Sequence, residues 1–227
     1  SRERAKALIM GGKVLVEGVP AAKAGTMIPQ DAAITLKEQD IPYVSRGGLK
    51  LEAALKEFSI DFKGKIAMDV GASTGGFTDC MLQHGAAKVY AVDVGYGQFD
   101  MKLRKDPRVV LFEKANIRHL EREKIRDDID IAAVDVSFIS LKTVIPCVME
   151  FVRPGGEIVA LIKPQFEVGK ADVGKGGVVR DDNKRLEAVK SVEEKMKSLG
   201  FAVIGLMECP VKGPKGNIEH LIYLRRQ

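Results

Sequence analysis

With 227 residues the chain holds enough for one good-sized core, or for one medium domain with a small appendage. Hydrophobic residues make up 45% and charged residues 30%, the balance of a globular protein in water, and no apolar run approaches the roughly 20 residues that span a bilayer. The net charge of +5 and the pI of about 9.0 suit a polyanionic partner.

Cys80, Cys147 and Cys209 are odd in number, widely spaced and without a CxxC pair, which speaks against a disulfide framework or a zinc site. His84, His119 and His220 stand apart, so no metal is assigned. With no Trp and four Tyr, an extended platform of stacked aromatics for single strands is not expected. No charged-then-apolar leader opens the chain, so a cytoplasmic location is expected; residue 1 is Ser, so the numbering can belong to a longer chain.

Residues 1–40 differ in texture from the rest. Ser1 to Ile9 reads as a short amphipathic helix with Ala5, Leu8 and Ile9 on one face, capped by Ser1 and stopped by Gly11-Gly12. Val14-Leu15-Val16 reads as a strand, Glu17-Gly18 as a turn and Ile34-Thr35-Leu36 as a second strand; this is too little chain to close a core alone. Residues 41–48, Ile41-Pro42-Tyr43-Val44-Ser45-Arg46-Gly47-Gly48, read as a linker, and a helix follows from about Leu49 to Phe58.

From there strands and helices alternate. Strands are expected at Ile66–Val70, Val89–Val94, Val109–Phe112, Ile129–Val136 and Glu157–Ile162, and helices near Gly76–His84, Ser140–Phe151 and Asp182–Leu199. Such alternation predicts a parallel sheet covered by helices on both faces. Ala202–Glu208 and His220–Leu224 are two strands joined by a Gly/Pro loop with no helix, so they are expected to be antiparallel.

The first strand–helix turn is Asp69-Val70-Gly71-Ala72-Ser73-Thr74-Gly75-Gly76-Phe77-Thr78. Glycines let the backbone pass close to a ligand, and open α/β sheets bind ligands beyond the carboxyl ends of their strands. A dinucleotide fingerprint needs GxGxxG, and Ser73 stands where its second glycine belongs. Asp69, two residues before Gly71, suits a ligand with an ammonium group. Asp93 ends the second strand, where a carboxylate can take two ribose hydroxyls, and Asn116 follows the third, placed for an adenine edge. Together they suit S-adenosylmethionine better than NAD. The opposing reading is a glycine turn without a ligand.

Asp135 ends the fourth strand and Lys163 the fifth, so both point toward the same crevice. A lysine ending so apolar a strand as Ile158-Val159-Ala160-Leu161-Ile162 is costly without a partner. Lys50 lies on the helix before the first strand, and Glu219 opens the last strand. Two lysines and two carboxylates meeting beside a transferred methyl group suit a hydroxyl acceptor, a weak nucleophile that needs a base or a strong orienting partner. A desolvated lysine beside a second cation has a lowered pKa and can serve. No Cys sits at a strand end facing the crevice with a motif suited to a nucleophile for ring carbon, and Asp135-Val136-Ser137-Phe138 lacks the prolines of an amino-group methylation loop. A buried ion-pair network without catalysis is the alternative that spacing leaves open.

Five segments in order carry a family resemblance: Ser45-Arg46-Gly47-Gly48-Leu49-Lys50-Leu51, Asp69 through Asp79, Asp135-Val136-Ser137-Phe138-Ile139-Ser140, Ile162-Lys163-Pro164-Gln165-Phe166-Glu167 and Gly216-Asn217-Ile218-Glu219. Over essentially its whole length the chain resembles the TlyA (haemolysin A) family, whose catalytic domain is of the FtsJ-like ribosomal RNA methyltransferase type. The resemblance implies an α/β, Rossmann-like methyltransferase fold: a mostly parallel seven-stranded sheet with a C-terminal antiparallel hairpin, over residues 49–227. It implies S-adenosyl-L-methionine as cofactor, held by Asp69, Gly71, Ser73, Thr74, Gly75, Gly76, Phe77, Asp93 and Asn116. It implies a K-D-K-E catalytic tetrad at Lys50, Asp135, Lys163 and Glu219, and 2′-O-methylation of ribosomal RNA, free or in ribosomal subunits. Residues 1–40 resemble the second part of a small α+β S4 RNA-binding domain, with Arg2, Arg4, Lys6, Lys13 and Arg46 as RNA contacts. The family's first S4 helix is not among these residues, and Tyr43 stands near where some members carry Trp. Competing classes are an RNA-binding protein without catalysis, a membrane-active haemolysin, for which no strongly amphipathic basic helix stands out, and a NAD enzyme.

Overall fold

A computed structural model describes residues 2–36 and 41–227. The proposed cap Ser1 and residues 37–40 lie outside the described residues, as do the side chains of Arg2 and Arg4. The chain divides into two compact units, Ser1–Pro42 and Tyr43–Gln227. Among the described residues no helix is long and apolar enough to cross a membrane.

In the first unit, helix α1 (Arg2–Met10) precedes strands β1 (Val14–Val16), β2 (Val19–Pro20) and β3 (Ile34–Leu36). They form an antiparallel sheet in the order β2-β1-β3. Glu17 and Gly18 both have positive φ, 50° and 77°, so β1 and β2 form a two-residue hairpin whose turn twist matches its strands. The Glu17 carboxylate accepts the Ala33 N–H at 2.6 Å and so ties β3 to that turn. An apolar cavity of about 480 Å3 lies among Leu8, Ile9, Val14, Val16, Ile28 and Ile34, as expected of so short a segment.

The second unit begins with Tyr43, which is buried, and helix α2 (Gly47–Phe58) starts two residues earlier than its sequence pattern suggests. Val44 donates its N–H to Asp79 at 2.8 Å, so residues 43–48 belong to this unit rather than to a free linker. The remaining elements are β4 (Ile66–Val70), α3 (Gly76–Gln83), β5 (Lys88–Val92), α4 (Met101–Arg104), β6 (Val109–Phe112), β7 (Ile129–Val134), α5 (Leu141–Met149), β8 (Val152–Ile162), α6 (Pro164–Glu167), α7 (Asp182–Ser198), β9 (Phe201–Glu208) and β10 (His220–Arg226).

The sheet has seven strands in the order β6-β5-β4-β7-β8-β10-β9. The first five are mutually parallel, and β10 is antiparallel to both β8 and β9. The last strand in sequence is therefore an inner strand. Leu221, Ile222, Tyr223 and Leu224 are all buried, whereas β9 exposes Ile204, Leu206 and Glu208. The more apolar segment takes the position covered on both faces. Ile158–Ile162 of β8 is equally buried. β8 starts at Val152, ahead of the expected Glu157, because Val152 already pairs with Ile129 before a register irregularity.

β5 and β7 stop at Val92 and Val134, two residues before the expected ends, so Asp93 and Asp135 are the first residues beyond their strands. Lys163 stands likewise just after β8, and Glu219 just before β10. The strand order brings β4, β7, β8 and β10 side by side, and that adjacency assembles the site.

Candidate active site

Beyond the carboxyl ends of the parallel strands lies a crevice with two joined lobes. One, of about 350 Å3, is lined by Ser45, Arg46, Lys50, Thr74, Phe77, Lys163 and Lys212 among others. The other, of about 540 Å3, is lined by Asp93, Val94, Gln98, Asn116, Ile117, Phe138 and Val144 among others. Gly71, Ser73, Asp135 and Ser137 border both. The floor is the turn after β4. Gly71 has φ 87°, and a Cβ there would overlap the Asp135 carbonyl oxygen, so a side chain would push apart β4 and β7.

The predicted cofactor residues divide into three groups. Gly71, Ser73, Thr74, Gly76 and Phe77 line the smaller lobe. Asp93 and Asn116 line the larger. Gly75 sits behind the turn, against Phe99 and Leu103, and lines neither. Asp69 is also off the crevice wall. It is fully buried, and its Oδ2 accepts from both the backbone N–H (2.9 Å) and the hydroxyl (2.6 Å) of Thr78. That carboxylate clamps the first turn of α3 to β4. Burial pushes its pKa up to about 7, the Thr78 hydrogen bonds opposing, and its Oδ1 has no hydrogen-bond partner.

Asp93 accepts the Ser73 N–H at 2.7 Å through Oδ2, and the Gly95 N–H at 2.6 Å and the Gln98 amide at 3.1 Å through Oδ1. It thus fixes the glycine turn and its own loop while facing the larger lobe. Asn116 caps the short 3-10 turn after β6 by accepting the Arg118 N–H at 3.1 Å. Carboxylate oxygens that accept, beside apolar Val94, Ile117 and Val144, fit a nucleoside whose hydroxyls donate to the acid and whose base lies against the aliphatic wall.

At the other end, two ion pairs border the smaller lobe, Lys163 and Asp135 through both side chains and Lys50 with the buried Glu219 behind it. Lys163 Nζ lies 2.5 Å from Asp135 Oδ1 and donates to the Ser137 hydroxyl at 3.0 Å. Lys50 Nζ donates to Glu219 Oε2 at 2.6 Å, across 169 residues of sequence. The Lys50 and Glu219 side chains are 10% and 0% exposed, so the carboxylate is internal and only the lysine reaches the lobe. Each lysine is held by its own carboxylate, as the expected meeting of two lysines and two carboxylates requires. Burial pushes the Cys209 thiol up, so it stays protonated near the Lys50–Glu219 pair, and it does not line the crevice.

Two features escaped sequence reading. Ser137 bonds the candidate catalytic lysine, although its motif position hinted at nothing beyond a turn. Phe138 is 91% exposed, with φ 65°, at the crevice mouth, and its ring lies 5.1 Å from that of Phe166. Its exposure cannot be read from the string Val136-Ser137-Phe138-Ile139. Of the proposed RNA contacts, Arg46 is exposed on the smaller lobe, whereas Lys6 and Lys13 lie in the first unit. Among the described residues no cluster of His, Cys, Asp or Glu could hold a metal.

A doubly wound sheet, a glycine turn with an acid after the next strand, and a lysine–carboxylate end define a Rossmann-like methyltransferase architecture. The FtsJ-like methyltransferase model matches residues 43–226, and the chain belongs to that family and, within it, to the TlyA family. It is 45% identical over 228 residues to the 16S/23S rRNA (cytidine-2′-O)-methyltransferase TlyA of Mycobacterium tuberculosis, covering 100% of this chain and 85% of that one. It is 44% identical over 224 residues to hemolysin A of Brachyspira hyodysenteriae, covering 98% and 93%. A solved hemolysin-named chain of Streptococcus thermophilus is 43% identical with a TM-score of 0.84, covering 100% of this chain and 83% of that one.

Proposed function

We propose that this chain is an S-adenosylmethionine-dependent methyltransferase acting on a ribose 2′-hydroxyl of ribosomal RNA. The observation that carries the reading is the pair of buried ion pairs, Lys163–Asp135 and Lys50–Glu219, at one end of a crevice whose other end suits a nucleoside. The relatives' name as rRNA cytidine-2′-O-methyltransferases supports it. Ribosomal RNA, free or in subunits, is then the partner, and a cytoplasmic location follows from that substrate.

When bound, the cofactor supplies an activated methyl group on a sulfonium sulfur. Asp93 would take the ribose hydroxyls, Asn116 the adenine edge, and the Gly71–Phe77 turn the methionine portion; Asp69 would act from behind by holding α3 to that turn. Lys163, held by Asp135 and Ser137, meets the acceptor hydroxyl and orients its lone pair. As the C–O bond forms and the methyl–sulfur bond breaks, the hydroxyl proton would pass to Lys163 Nζ while Lys163 gives one of its own to the Asp135 carboxylate, so the pair ends one proton richer. Lys50 and Glu219 hold the opposite wall and keep a second cation near the acceptor phosphate. The exposed ring of Phe138 offers a face on which an unstacked base can rest. Arg46 and the S4-like first unit, through Arg2, Arg4, Lys6 and Lys13, contribute phosphate contacts.

The test is Lys163→Ala. Calorimetry should find cofactor binding retained, while transfer falls about 10²–10⁴-fold, the usual worth of general-base loss. Lys163→Arg should fail as well, because a guanidinium stays protonated. The product's chemistry decides the acceptor. A 2′-O-methyl group blocks alkaline cleavage at its own position, so modified RNA that stays alkali-sensitive there would sink the reading.

A further inference from the structure

A third cavity, of about 290 Å3, shares Ser137, Lys163 and Pro214 with the smaller lobe but none of the glycine turn. Phe138 and Phe166 form one wall, Gly176 and Gly177 of a glycine-rich loop another, and Lys215 of the turn before Glu219 a third. Asn217 lies where loop and turn meet and is only 4% exposed.

Each polar group of Asn217 is engaged. Its Nδ2 donates to the Gly177 carbonyl at 2.9 Å and the Pro214 carbonyl at 3.3 Å. Its Oδ1 accepts the Val179 N–H at 3.3 Å, and Val179 is itself buried. Its backbone carbonyl accepts the Gly213 N–H at 2.9 Å, closing the turn. That turn leans on the reaction machinery: a Cβ on Gly213 would overlap Glu219 Oε1. One buried amide therefore joins the loop at 174–179, itself folded by Gly174–Val178 pairing, to the turn that covers the Glu219 carboxylate.

We propose that Asn217 is a positioning residue that locks the glycine-rich loop to the Glu219 turn and so sets the wall against which the acceptor nucleotide is seated. The proposal rests on the methyltransferase reading above. Asn217 touches no reacting atom in it. Its side chain satisfies two carbonyls and one N–H that would otherwise have to open to water, and a loosened loop would admit the acceptor in many poses. Neither Asn217 nor Gly176 and Gly177 line the lobe that the cofactor turn borders.

Two variants test this. Asn217→Ala removes all three side-chain bonds, and the RNA KM should rise about tenfold, the scale of a lost buried hydrogen-bond set, while the cofactor Kd stays as in wild type. Trypsin cleavage after Lys175, an exposed loop residue, should quicken at the same time. Gly177→Ala keeps Asn217 and the Glu219 turn intact; its Cβ meets open space, but the φ of 78° strains the loop carbonyl that Asn217 holds. It should move RNA KM and loop cleavage in the same direction, by less. Unchanged RNA KM in folded Asn217→Ala overturns the proposal. So does a cofactor Kd that weakens in step with RNA KM in either variant. If Asn217→Ala does not fold, Gly177→Ala with wild-type RNA KM and cleavage overturns it. Loop cleavage needs no turnover: a wild-type enzyme inactive on ribose would defeat the functional reading, while faster cleavage in the variants would still support the lock.

Discussion

Replacing Lys50 by Met should cost more in stability than any surface charge in this chain, because its partner has nowhere else to turn. Glu219 is fully buried, its Oε2 is held by Lys50 at 2.6 Å, and its Oε1 has no hydrogen-bond partner. Lys50→Met leaves a buried carboxylate bare, which costs about 3–5 kcal/mol when one member of such a pair is removed. At about 2–4 °C per kcal/mol for a domain of this size, the melting temperature should fall by about 6–20 °C. Glu219→Gln strands the lysine and should fall similarly. The double variant Lys50→Met/Glu219→Gln leaves no bare charge, so it should melt well above the sum of the single losses. Methyl transfer should stay lost in all three. Calorimetric melting beside a methyl-incorporation assay reads both effects. A Lys50→Met protein melting within about 2 °C of wild type would refute the reasoning, since breaking a buried pair cannot be so cheap. Strict additivity in the double variant would refute it equally.

Asp69 sets a pH dependence. Its folded pKa of about 7 stands above the ordinary 3.8, so between those values the folded chain binds a proton that the unfolded chain has released. Stability should therefore fall as pH rises from about 4 to about 7 and stay at the lower level above; Asp69→Asn should flatten that slope and melt higher than wild type at pH 8, and an unchanged profile would show that the carboxyl is not the cause. Removing residues 1–42 should weaken RNA binding and leave cofactor binding intact, because the crevice is built from Tyr43 onward. On a helical target, losing two phosphate contacts flattens the log–log salt slope by about 1.8; unchanged affinity and slope would remove the first unit from the RNA-binding account.

Local and periodic features were legible in the sequence because they depend on neighbours within a few residues. The apolar runs at Ile66–Val70 and Val109–Phe112 became strands with the expected bounds. The glycine turn opened a helix at Gly76, and the last two strands paired antiparallel as the missing crossover helix required. The positions of Asp93, Asp135, Lys163 and Glu219 at strand ends followed from the same patterns to within two residues. Only the tertiary structure decided who meets whom. Placing β10 inside the sheet, beside β8, brings Glu219 to Lys50 across 169 residues and leaves Lys163 to Asp135. It turned Asp69 from an expected ligand contact into a buried clamp on Thr78, exposed Phe138, and joined Asn217 to Gly177 and Val179. Burial and long-range pairing follow from strand order and side-chain volume, which no short window of sequence contains, so the four charged residues at strand ends could be foreseen together, and which lysine takes which carboxylate could not.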